Sequence, residues 1–422
     1  MRGVGFAQTP GQTPRTLGKG LALLEGDRLT TADGATAVVK LQDGTRMTVR
    51  PGSEMVLSQF KYRQDAQDNS MVINMLRGGL RAITGLIAKS SPNAARIQTN
   101  TATIGIRGTD FDARICSVDC GNESRRISQA AKPNTVQASA KILSSRGEVV
   151  AVDGAGTRRR LVDGGGVYPG DVVETGQGTQ AILAFRDESR VTVGAASRFR
   201  VDNFVYDSKN AGEGRMLTSL LKGTVRALSG LIGKANNRNV GYSTSTATIG
   251  IRGTEVLLRC TGECAGEPSA AGDGLTVYTY SGLVDVTKLA DFTSTIALAP
   301  GQGLVVLPQG SQSINAEPVN DLTAPGTLPL PPALFGSDGT SENEEGLFVF
   351  VRDGHIELTT ASQVLHLGRN EAGVAGNDGR VGRPQELPRF LEFDRTPLPN
   401  ANNFNITALL GDSNIGGGRI CR

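Results

Sequence analysis

The stretch Thr101-Ala102-Thr103-Ile104-Gly105-Ile106-Arg107-Gly108-Thr109 returns unchanged as Thr246-Ala247-Thr248-Ile249-Gly250-Ile251-Arg252-Gly253-Thr254. The flanks of the two stretches can be laid one on the other, so the chain holds two copies of one unit, and any fold assigned to one must serve the other. Upstream, Gly26-Asp27 matches Gly170-Asp171, and Thr31 matches Thr175. Ala37, Val39 and Leu41 alternate with Val38, Lys40 and Gln42, as Ala181, Leu183 and Phe185 alternate with Ile182, Ala184 and Arg186. A period of two predicts a strand with one face on a core.

Asp43-Gly44 predicts a tight hairpin with both turn positions at φ > 0, and Asp187-Glu188-Ser189 predicts a looser turn in the second copy. The apolar set continues in both copies: Met47 and Val49 match Val191 and Val193, Met55 and Leu57 match Phe199 and Val201, and Phe60 and Tyr62 match Phe204 and Tyr206. Apolar character is kept while the exact residues vary, as a shared core requires. Leu76-Arg77-Gly78 and Leu221-Lys222-Gly223 place a glycine inside a strand, the signature of a bulge or a close backbone approach. Leu86–Lys89 and Leu231–Lys234 fit a strand end or a short helical turn equally well.

Beyond the second motif, Leu275 and Val277, a turn at Ser281-Gly282, then Val284 and Val286 suggest a hairpin. Leu347, Val349, Gly354, Ile356 and Leu358 repeat it at a constant offset, and related hairpins centre on Gly147 and Gly3. The expected fold is all-β: two tandem units, each a β-sandwich or short β-solenoid, with a C-terminal β-hairpin extension. The expected divisions are a first repeat at 2–140, a second at 141–307, a Pro-rich linker at 308–344, a hairpin segment at 345–376 and a flexible tail at 377–422. The linker holds Pro308, Pro318, Pro325, Pro329, Pro331 and Pro332 among small polar residues, a composition that predicts a semi-extended, poorly packed spacer. In the tail, Phe390, Leu391 and Phe393 are the residues able to dock.

Composition narrows the function. The 422 residues include 55 glycines, as turn-rich β structure does, and 44 basic against 41 acidic residues. So even a balance argues against a nucleic-acid partner. No apolar run reaches the ~20 residues of a membrane-crossing helix. The basic start is not followed by a signal-peptide apolar region. Arg2-Gly3 aligns with Arg146-Gly147 and Leu17 with Leu161, so the first copy is expected to begin inside a strand, as in a trimmed chain that has lost an export signal.

Gly26-Asp27…Thr31, Asp43-Gly44, Leu76…Gly79 and Ile106-Arg107-Gly108-Thr109-Asp110, with their second set Gly170-Asp171…Thr175, Asp187, Leu221…Gly223 and Ile251-Arg252-Gly253-Thr254-Glu255, together resemble the FecR domain family. The resemblance covers roughly residues 20–115 and 165–260. It implies an exported protein, periplasmic or secreted, of a Gram-negative bacterium. The best-known family members are iron-siderophore regulators with a cytoplasmic anti-sigma segment, a membrane helix and an outer-membrane receptor partner. Neither segment is present here, so the better comparison is with stand-alone exported FecR-domain proteins.

Cys116-Ser117-Val118-Asp119-Cys120 and Cys260-Thr261-Gly262-Glu263-Cys264 follow the two motifs at corresponding places. One local disulfide per repeat, and hence an oxidising compartment, is the favoured reading. A metal site drawing all four cysteines together, or free thiols, are the alternatives. Cys421 is odd. Arg107 with Gly108 and Thr109, and Arg252 with Gly253 and Thr254, suggest either an anion-binding turn or, preferably, a structural guanidinium bridging to Asp27/Asp171 or Asp110/Glu255. Arg158-Arg159-Arg160 reads as a solvated loop, and Gly164-Gly165-Gly166 lacks the Lys-Ser/Thr of a phosphate loop. His355 and His366 read as surface residues, and Glu344-Glu345 lies at a linker edge where burial is too slight for acid–base work. The expected function is therefore non-catalytic, with neither cofactor nor metal: an envelope module that binds a protein or glycan through exposed strands and loops, β-augmentation among the modes. The rivals are a part in transmembrane sigma-factor signalling and an envelope carbohydrate-active enzyme.

Overall fold

The computed structural model describes residues 1–64, 68–90, 94–268, 273–307, 310–337 and 340–399. The chain forms two compact all-β units, as the duplication predicts, with bounds that differ from those expected. One comprises residues 1–136 together with the chain from Gly336 onward; the other is the intervening 137–335. The second unit is thus inserted in the chain of the first.

Within the first unit the strand Thr103–Cys116 holds the centre. Its first half pairs with Ala95–Gln98 and its second half with Gly79–Ile83. One long strand therefore serves two sheet layers, and the apolar faces of Met47, Val49, Met55, Leu57, Ile73 and Leu80 close between them as the core. The second unit repeats the plan, with Ala247–Cys260 paired to Val240–Ser243 and to Arg215–Leu228. Its core gathers Val191, Val193, Phe199, Val201, Leu258 and Val277. The alternating residues matched in the sequence occupy these interiors.

The far side of each central strand is completed by a strand of 14 residues, Leu275–Lys288 in the second unit and Gly346–Thr359 in the first. These are the segments expected to be hairpins. They are instead continuous: the turns expected at Ser281-Gly282 and Gly354 are bulges, where the register against the central strand shifts. Because 346–359 is hydrogen-bonded from Gly346 to Thr359 along Thr103–Cys116, the expected separate hairpin segment is a structural strand of the first unit. Val364–Leu367 and Glu371–Gly376 add to its edges.

Two further expectations change, and one open reading is decided. The Asp43-Gly44 turn has only Gly44 at positive φ, 87°, and the second copy reproduces it, with Glu188 at φ 68°. In both, an Asp carboxylate fixes the loop: Thr45 and Ser189 amides donate to Asp43 Oδ1 and Asp187 Oδ1 at 3.0 and 3.1 Å. This is a type I turn closed by a left-handed residue. Leu86–Ser90 and Leu231–Ala235 are short helices.

The Pro-rich segment is not a loose spacer. Residues 319–328 lie as a strap across the outer face of the second unit's sheet. Arg259 Nη2 donates to the Val319 carbonyl at 2.5 Å, Thr192 Oγ1 to Thr323 at 2.8 Å and Arg190 Nη1 to Leu328 at 2.6 Å. Leu322 is buried against Leu257 and Tyr278. An extended Pro-containing chain makes few hydrogen bonds of its own, so its carbonyls are open to side-chain donors. In the tail, Phe390 and Leu391 are fully buried with Phe348 and Phe350 of the first unit, as their apolar character suggested. Cys421 lies outside the described residues.

Candidate functional site

The Arg-Gly-Thr motif marks the point where each central strand changes partners. Gly108 and Gly253 both adopt φ 61°. There the central strand exchanges one neighbour for the other and its register with the next strand shifts. The facing bulges hold Gly354 and Gly282, at φ 93° and 74°, and a Cβ on either would meet the Gly108 or Gly253 carbonyl oxygen at 2.4 or 2.5 Å. Thr109 and Thr254 are buried, and their amides donate to Thr84 Oγ1 at 2.7 Å and to Ser229 Oγ at 2.8 Å. Arg107 pairs with Glu357 at 3.0 Å and Arg252 with Asp285 at 2.7 Å. These partners sit on the adjacent strand and differ from the carboxylates expected from the sequence. Asp110 and Glu255 are held by Arg81 and Arg226, and Asp27 and Asp171 by Arg15 and Arg159. Hydrogen bonds from the Leu24 amide, Thr9 and Arg15 outweigh desolvation and hold the Asp27 carboxyl below its usual range.

Arg158–Leu161 is accordingly a strand and not a solvated loop, with Arg158 on Glu174 at 2.9 Å and Arg159 on Asp171. His355 and His366 are not separate surface residues. Their rings stack with centroids 5.4 Å apart, His355 is buried, and His366 Nδ1 lies 3.3 Å from His355 Nε2. Residues on neighbouring strands met here because of a register that sequence spacing did not reveal.

Both cysteine pairs stand at disulfide-bonding distance. Cys116 and Cys120 have S–S 2.08 Å and Cα–Cα 5.5 Å; Cys260 and Cys264 have 2.07 and 5.2 Å. Each pair clasps the end of the central strand to the short helical turn that follows it. Among the described residues no group of His, Cys, Asp and Glu could hold a metal ion.

Beside the first clasp lies the candidate site, a groove of about 1050 Å³. Its lining carries six arginines, Arg2, Arg50, Arg77, Arg114, Arg126 and Arg395, against the carboxylates of Asp33, Asp119, Glu123 and Asp394. Arg50 forms the floor with a side chain only 7% exposed, paired to Asp394 and, at 3.4 Å, to Glu123. Burial draws its pKa down, and Asp394 opposes that. Arg114 reaches Asp119 at 3.0 Å and also Glu123. Although desolvation acts the other way, the Ser117 amide and Arg114 hold the Asp119 carboxyl below its usual range. The groove can therefore present guanidinium forks to a planar anion such as a carboxylate.

None of these groove arginines was singled out by the sequence, because each comes from a different strand or turn. One signal was available: Arg50 occupies the place of Gly194. Their amides donate to Gly79 and Thr224 carbonyls at 2.9 and 2.8 Å, and their carbonyls accept from Thr31 and Thr175 Oγ1 at 2.6 and 2.5 Å.

Two copies of a two-layer β unit, each bulged at its Arg-Gly-Thr motif and closed by a disulfide clasp, define a duplicated all-β domain protein. A family model described as FecR protein matches residues 27–126 and 171–285, together half of the chain, and the chain belongs to this family. Two solved structures of a "putative anti-sigma factor" from Parabacteroides distasonis ATCC 8503 are similar at 14% identity, with TM-scores of 0.26 and 0.27. In each case the match covers 35% of this chain and 60% of the solved one. No curated protein matches the chain.

Proposed function

We propose that this FecR-family protein is a non-catalytic binding module of the bacterial envelope, periplasmic or secreted, engaged in signalling through a protein partner. The arginine-lined groove beside the Cys116–Cys120 clasp carries this reading: it is a concave surface in which Asp119, Glu123 and Asp394 are engaged by arginines, arranged to bind rather than to transfer protons. The disulfide clasps support an oxidising compartment. No helix among the described residues is long and apolar enough to cross a membrane. Cross-linking the full chain in a periplasmic extract and identifying what is captured tests the proposal. A partner captured reproducibly supports it; hydrolysis of an envelope glycan by the purified chain overturns it.

Family membership favours a second reading, participation in sigma-factor regulation through a membrane-spanning partner. Deleting the gene and finding every sigma-factor-dependent transcript unchanged would exclude it.

A further inference from the structure

The same outer sheet face is finished differently in the two units. In the second, Gly194, Leu257, Tyr278 and Tyr280 lie under the strap, whose Leu322 fills the space above Gly194. Strand register places Arg50, Asp112, Phe350 and Arg352 at the corresponding positions of the first. There the segment Phe393–Pro397 lines the groove, and its Asp394 carboxylate meets Arg50. Asp394 also accepts from the Thr396 amide at 3.0 Å, which holds the segment in a turn over the groove. The second unit thus shows that this face holds a polypeptide segment, and in the first Arg50 takes the place of Gly194 and the Asp112–Arg352 ion pair that of Leu257 and Tyr280, while Phe350 stays apolar. Arg2, Arg126 and Arg395 line the same groove with no carboxylate partner among the described residues.

We infer that the groove of the first unit is a docking site for an acidic, extended segment of a partner protein, and that Asp394 occupies it as an internal competitor. The inference rests on the binding-module reading above and names its site and the chemistry of its partner. A partner carboxylate would take Arg50 as Asp394 leaves it, so no buried charge is left unpaired in the exchange. Affinity is reduced by the fraction of molecules in which Asp394 holds the site.

Fluorescence anisotropy on the full chain, with a short fluorescein-labelled peptide alternating Asp and Ser, tests this. The acidic peptide is expected to bind, and its Asn/Ser counterpart is not. Asp394→Ala is expected to tighten binding about tenfold, a shift of about 1.4 kcal/mol. Because Asp394→Ala could perturb folding, the exposed pair Arg126→Ala/Arg395→Ala provides an independent arm, expected to weaken binding by a similar factor. Equal binding of the neutral peptide, an affinity indifferent to all these substitutions, or binding of a sulfated oligosaccharide in place of the acidic peptide overturns the inference. A partner captured equally by native and Arg126→Ala/Arg395→Ala protein also overturns it while leaving the binding-module reading intact. Acidic-peptide binding that responds to the variants, with no partner captured from the extract, supports the groove and removes that reading instead.

Discussion

Gly194 lies directly beneath Leu322: a Cβ added there would come within 2.7 Å of Leu322 Cδ2 and 3.1 Å of the Thr224 carbonyl oxygen. The strap of the second unit is therefore seated by the absence of a side chain. Gly194→Val should lift the strap and cost about 1–3 kcal/mol, as overpacking does. Denaturant unfolding measures the cost, and limited proteolysis within 317–328 should become faster. An unchanged cleavage rate would show that Leu322 does not anchor the strap.

Arg383 and Glu371 form an ion pair in the first unit with side chains 1% and 0% exposed, at 3.0 Å. Arg383 also donates to the Gly336 carbonyl at 2.6 Å and to His366 at 2.9 Å. Removing one partner strands a buried charge, so Arg383→Met should destabilise by about 3–5 kcal/mol. Arg383→Met combined with Glu371→Leu should recover much of that loss in urea unfolding, because two apolar side chains leave no charge uncompensated.

Burial raises the Asp112 carboxyl to about 6, against the opposing pull of Arg352 and Arg81. Because the folded value lies above the unfolded one, the folded state binds the proton more tightly. Stability from this group is present below the unfolded value near 4 and is lost as pH rises to about 6 and beyond. Asp112→Asn lacks the titration, so its stability relative to the native protein should rise by about 3 kcal/mol between pH 4 and pH 7. Parallel urea titrations at the two pH values check this, and a constant difference would refute it.

Glu188 holds φ 68° at the place where the first unit has Gly44 at 87°. A side chain in that conformation is strained by about 1–2 kcal/mol. Glu188 is exposed, so Glu188→Gly removes the strain without opening a cavity and should raise the melting temperature. Gly44→Glu should lower it.

The Cys116–Cys120 and Cys260–Cys264 clasps each close a loop of sequence separation 4. So short a loop removes little chain entropy, and replacing one pair by serines should cost about 2 kcal/mol. Alkylation of the native protein without reductant, read by mass spectrometry, should leave all four of these sulfurs unmodified.

The sequence alone determined the duplication, the all-β class and the inward residues of each copy, and it favoured, without deciding, the pairing of neighbouring cysteines. All of these depend on short spacings: a period of two, a glycine in a strand, two cysteines a few residues apart. Repetition made them legible, since Met47 and Val191, or Met55 and Phe199, each vouched for the other. Tertiary structure decided which segments belong together. The strand Gly346–Thr359 lies more than two hundred residues from Thr103–Cys116, yet it completes the same unit, because an insertion conceals adjacency from any local pattern. Partner choice was decided the same way: Arg107 met Glu357 and not Asp110, and Arg50 met Asp394, because register across a bulge sets which charges face each other and buried charges must find one.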